Sequence, residues 1–180
     1  MGMSVIIDGS ASVTINSGAV LGITSGTAVA STSGVSIDFT SIPSWVKRIT
    51  VMFNGVSLSS TANILVQLGI SSGPETSGYS SNSSYFTTAT AAPATSTAGF
   101  VINTIATAAQ LMSGHLVLTL LNSSTNLWVA SGTFIGTGTY SQTAITGGIK
   151  TLAGTLDRVR ITSTSTDTFD AGSINILYEG

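Results

Sequence analysis

The chain's 180 residues are enough for one domain with its own core. Five basic and seven acidic residues give a net charge of −2, and this 7% charged share stands against about 25% in ordinary domains. The balance excludes an electropositive nucleic-acid groove, the lack of cysteine excludes disulfides and thiolate metal sites, and no apolar run approaches the ~20 residues of a membrane span.

The chain opens on a repeat. Val5, Val13 and Leu21 are spaced eight apart, as are Ile7, Ile15 and Ile23, and glycines at 9, 18 and 26 close the units. Each unit reads as a short alternating strand and a turn, which cannot bury its apolar side alone. Residues 1–26 are therefore expected to form either a fibre stem in which several chains wrap together or an ordinary pair of strands packed on the main domain. Residues 1–9 have neither a basic region nor a long apolar core, so no secretory leader is expected.

From residue 27 the strands lengthen. Val35, Ile37 and Phe39 alternate with polar residues, and so do Ile49, Val51 and Phe53, after which Asn54-Gly55 signals a turn. Ile64, Val66, Leu68 and Ile70 share a face that ends at Ser72-Gly73-Pro74. Residues 87–97 are Ala, Thr and Pro with one Ser, and read as a long surface loop. Phe100 and Ile102 begin another strand, and 104–112 is the one segment suited to a short helix. Leu116, Leu118 and Leu120 precede a turn at 123–126, followed by Trp128, Ala130, Gly132 and Phe134. Val159 and Ile161 alternate with Arg158 and Arg160, and Ile174, Ile176 and Tyr178 form the last strand.

At least eight strands with turn-rich connections point to an all-β fold: an antiparallel β-sandwich, jelly-roll-like, over residues 27–180, with an open barrel as the second choice. The 29 Ser and 28 Thr mean that hydroxyls and amides, rather than charges, cover its surface. An apolar, weakly charged chain of this kind is readily explained if part of its surface is buried against copies of itself.

Two blocks carry a family likeness. Residues 42–57 read Ile42-Pro43-Ser44-Trp45-Val46-Lys47-Arg48-Ile49-Thr50-Val51-Met52-Phe53-Asn54-Gly55-Val56-Ser57, and the second block runs from Leu156-Asp157-Arg158-Val159-Arg160-Ile161-Thr162 through 167–179. Both resemble a family of phage and prophage tail-fibre or virion structural proteins, and Trp128-Val129-Ala130-Ser131-Gly132 resembles a third block. The resemblance implies a β-rich head at the end of a fibre, usually homotrimeric and exposed on the virion exterior. Its partners would be other copies of itself and other virion proteins, with host attachment as its purpose. A capsid decoration or head-fibre protein is one alternative, and a stand-alone carbohydrate-binding module another.

The residues offer little for catalysis. A triad would have to use the one histidine, His115, which heads an apolar strand, and no nucleophile elbow is present. Asp167 and Asp170 are the one close carboxylate pair. They stand in a Ser/Thr-rich loop where Asp commonly shapes turns, so a glycan depolymerase built on them is a distant reading. No enzyme activity, cofactor, metal, nucleic-acid partner or membrane insertion is expected. A host surface glycan is the expected ligand, if there is one. Tyr79 and Tyr85 flank the Ser/Asn-rich residues 80–84, Tyr140 lies in another turn-rich stretch, and these three are the candidate receptor contacts. Trp45 and Trp128 are expected in the core or at a subunit interface.

Overall fold

The fold is that of a computed structural model, which describes residues 22–104 and 107–180 together with the backbone pairing at 14–15 and 18–19. Among the described residues there are sixteen strands and no helix. They are β1 (Thr14–Ile15), β2 (Gly18–Ala19), β3 (Thr24–Ser25), β4 (Val29–Ala30), β5 (Ser36–Phe39), β6 (Arg48–Leu58), β7 (Ile64–Ile70) and β8 (Gly73–Pro74). The chain continues through β9 (Tyr79–Phe86), β10 (Ala91–Ser96), β11 (Phe100–Ile102), β12 (Leu111–Asn122), β13 (Leu127–Thr137), β14 (Gln142–Thr151), β15 (Arg158–Ser163) and β16 (Phe169–Glu179).

Apart from the small β1–β2 ladder, the strands form an antiparallel sandwich of two unequal sheets. The larger runs β10-β9-β14-β13-β12-β6-β16-β3, with β4 also paired to β16, and the smaller runs β11-β7-β15-β5, with β8 on β7. The chain alternates between sheets, so sequence-distant strands become neighbours; β6 pairs with β16, for example. The alternating apolar residues meet between the layers. Ile49, Val51, Phe53, Leu116, Leu118, Trp128 and Phe134 come from the large sheet, and Ile64, Val66, Leu68, Phe100, Val159 and Ile161 from the small one, all buried. Trp45 is half-buried and packs on Tyr178 with ring centroids 5.9 Å apart.

Three local expectations are corrected. Asn54-Gly55 does not turn the chain. Strand β6 continues through it, and the register against both β12 and β16 shifts there by one residue, making a bulge with Gly55 at φ 62°. The Gly55 N–H donates to Ser113 Oγ at 2.9 Å, and bonding to both neighbouring strands keeps the segment extended. Residues 91–96, expected within a loop, form β10, paired residue for residue with β9. As an outermost strand β10 tolerates Pro93, whose missing N–H would break a central ladder. At 104–112 there is no helix among the described residues. A turn at 108–109 leads into β12, and the Gln110 side chain clamps the Tyr140 main chain, donating to its carbonyl at 2.8 Å.

Of the stem positions, Val5, Ile7, Val13 and Leu21 lie outside the described residues. Ile15 is a strand residue paired with Gly18, and Ile23 is exposed. The expected boundary after residue 26 falls between β3 and β4, both of which pair with β16.

One end of the sandwich is closed by hydroxyls rather than by apolar packing. One edge of β11 pairs with β7; its other edge faces β9 and β14 across the sandwich. There the Val101 N–H donates to Ser81 Oγ (3.0 Å) and the Asn103 N–H to Ser83 Oγ (3.2 Å). Thr146 Oγ1 donates to the Val101 carbonyl (3.0 Å), and Gln142 Nε2 to the Asn103 carbonyl (3.0 Å). Side chains of the large sheet thus complete the backbone bonding of a strand in the small one, which buried main-chain groups require.

Candidate functional site

The structure separates the three candidate tyrosines. Tyr79 is buried, and its ring meets Phe100 edge-on at 5.1 Å. Its hydroxyl accepts the Leu68 N–H at 2.7 Å and lies 3.0 Å from the Glu75 carbonyl, to which it donates. Burial pushes its pKa well above the ordinary 10.0; the bond from Leu68 works against that rise, and the nearby Glu75 charge adds to it. Tyr79 is therefore a core anchor, and the expectation that it touches a receptor is corrected. Strand alternation explains this, because Tyr79, Ser81 and Ser83 face inward along β9 while Ser80 and Asn82 face solvent.

Tyr85 and Tyr140 are brought together, although 54 positions separate them in sequence. They line one open cleft of about 690 Å³ at the end of the sandwich, with residues 87–90, 107, 139 and 141. Tyr85 is half-buried against the core, whereas Tyr140 is 52% exposed. The β9–β10 turn is shaped by Thr87, whose Oγ1 accepts the N–H groups of Ala89 (3.2 Å) and Thr90 (2.9 Å). The β13–β14 turn is held by the Gln110 clamp on Tyr140 and passes through Gly138 at φ 118°. Every lining side chain except Ala89 carries a hydroxyl, and none is charged. Such a wall donates and accepts hydrogen bonds without favouring either sign of charge, which suits a neutral, hydroxyl-rich ligand. In the sequence the threonines of this wall look like ordinary turn residues, because the two turns meet only in three dimensions.

The remaining polar residues do structural work. Asp167 Oδ2 accepts the Ala62 N–H at 3.0 Å, while Asp170 accepts from the Ser57 hydroxyl, so the two carboxylates serve different strand connections. His115 is exposed on the outer face of β12, opposite Thr133 and Met52. Among the described residues no three His, Asp or Glu side chains gather into a metal-binding group. The three arginines are paired: Arg160 with Asp38 at 2.7 Å, Arg158 with Asp157 at 2.9 Å, and Arg48 with Glu179 at 3.3 Å. The bond to Asp38 raises the Arg160 pKa. Lys150 is buried, 2.6 Å from Glu75, and donates to the Ser77 carbonyl at 2.8 Å, tying the 75–77 segment to β14.

No family model matches the chain, and neither a curated protein nor a solved structure matches it.

Proposed function

We propose that this chain is a non-catalytic structural protein of a virion, the tip of a fibre or appendage, that contacts a neutral glycan on the host surface through the Tyr85–Tyr140 cleft. The virion part of the reading rests on the sequence resemblance of residues 42–57 and 156–179. The binding part rests on one observation, the meeting of two tyrosines and a run of hydroxyl side chains in an uncharged cleft. An aromatic ring beside hydroxyl donors and acceptors matches the two chemical faces of a sugar, its apolar C–H face and its hydroxyl rim. The same cleft fits a stand-alone carbohydrate-binding module, which would act as a monomer rather than in an assembly.

The test is binding of the purified full chain to an array of bacterial surface polysaccharides, alongside Tyr85→Ala and Tyr140→Ala. The wild type should bind a neutral glycan, and Tyr140→Ala should weaken binding by roughly tenfold or more. A chain that binds nothing on the array, or that binds equally well with both tyrosines removed, refutes the attachment reading. Light scattering on the same samples separates the two carriers of the cleft, since an assembly supports the appendage and a monomer supports the module.

A further inference from the structure

Among the described residues, none covers the outer face of the large sheet. Along β14, Thr143, Ile145, Gly147, Ile149 and Thr151 point away from the core, and the registers place Val129, Ser131, Thr133 and Ile135 of β13 beside them. Ile135, Ile145, Ile149 and Phe86 are each about half exposed. On β9, β13 and β14 this face carries no charged side chain; farther across the sheet it carries His115 on β12, the mutual pair Arg48 and Glu179 at the end of β6 and β16, and Asp170, which accepts from the Ser57 hydroxyl.

Gly147 stands in the middle of this face. Its backbone is outside the left-handed region, β14 runs beside β9 and β13 without a register shift, and an added Cβ would find nothing nearer than the Ala130 carbonyl oxygen at 3.8 Å. Neither a bulge nor internal crowding therefore accounts for a glycine here, although glycine weakens a strand. The remaining reason for such a residue is close approach by something outside the fold. Across the strands, Asn82, Gly147 and Ser131 form a row of low side chains. Ile149 with Val129 rises on one side of this row, and Ile145 with Thr133 on the other.

We infer that this face is buried against a second copy of the chain, related by a two-fold axis, with the Ile145 ridge of each copy seated in the Gly147 trough of the other. A ridge beside a trough is self-complementary under such an axis. The face carries almost no charge, so two copies meet without like-charge repulsion. Five strands at ~4.8 Å spacing and about eight residues along each at ~3.3 Å span roughly 600 Å². That approaches the ~800 Å² per partner of a standard interface. Branched aliphatic side chains on a pleated sheet pack face to face with their like, whereas a sugar would find one aromatic ring, Phe86, at the corner. The inference adds a surface to the self-association in the reading above and stands apart from host attachment.

The test is sedimentation of the full chain over a concentration series, with Gly147→Val, Ile145→Thr/Ile149→Thr and, away from the face, Val35→Thr, an exposed position before β5 of the small sheet. The open space at Gly147 and the strand preference of Val and Thr keep the variants folded, which thermal melts verify. The wild type should associate, both face variants should dissociate roughly tenfold or more readily, and Val35→Thr should behave as wild type. A monomeric wild type overturns the inference. So does an assembly indifferent to both face variants, which would place self-association elsewhere, as in the N-terminal repeat, and leave the attachment reading standing. If a neutral glycan from the array binds monomeric wild type and is lost in Gly147→Val, the trough is a sugar site and the second copy is ruled out.

Discussion

At the scale of single residues, Tyr79 shows how one hydroxyl joins burial to pH. Its O–H satisfies main-chain groups of Leu68 and Glu75 inside the core. Tyr79→Phe should cost about 1–2 kcal/mol near neutral pH, measured by urea unfolding, because the buried Leu68 N–H loses its phenol acceptor. The pKa is raised in the folded state, so the native chain holds the proton at pH values where the unfolded chain releases it. Stability from this group is complete below pH ~10 and declines as pH rises above it. The gap between wild type and Tyr79→Phe should therefore narrow above pH ~10. A constant gap would mean that the phenol is not held in its neutral form.

At the scale of elements, the strands β9 and β14 stand out, because their inward faces are largely polar. Ser81, Ser83, Gln142, Thr146 and Lys150 are all buried, a pattern that hydrophobic periodicity does not detect. Ser83 is the hub: it accepts from the Asn103 N–H, donates to the Ile145 carbonyl at 2.9 Å, and lies 3.0 Å from Thr146 Oγ1. Ser83→Ala should lower stability by about 1–3 kcal/mol, since a buried N–H loses its acceptor. Ser80→Ala, on the solvent face of the same strand, should stay within about 0.5 kcal/mol. Chemical unfolding of the two variants checks the contrast, and equal effects would show that β11 is not secured by the hydroxyls of β9.

At the scale of the whole molecule, what holds the fold is apolar packing and hydroxyl–backbone bonding, with few charges involved. Among the described residues, three of the four ion pairs lie on partly exposed side chains, and the fourth joins buried Lys150 to Glu75. Screening acts on exposed charges over about 10 Å at 0.1 M salt, and exposed pairs contribute little at any salt. Stability should therefore change by less than about 1 kcal/mol between low and moderate sodium chloride, measured by denaturant midpoints. A larger loss would show that charge holds the sandwich more than its composition suggests.

The alternation of apolar and polar residues in β5, β6, β7, β12, β13, β15 and β16 was legible in the sequence. A strand with one face on a core must show period two wherever that core is apolar, and so the all-β sandwich could be read directly. Strands β9, β10 and β14 were not legible as strands, because their partners are backbone groups of β11 or lie at an open edge. Only the tertiary structure decided that Asn54-Gly55 is a bulge between two neighbours, that Tyr79 anchors the core, and that Tyr85 meets Tyr140. A turn signal records local backbone preference, and an aromatic residue records bulk. Which side of a sheet either one faces depends on pairings between strands far apart in the chain.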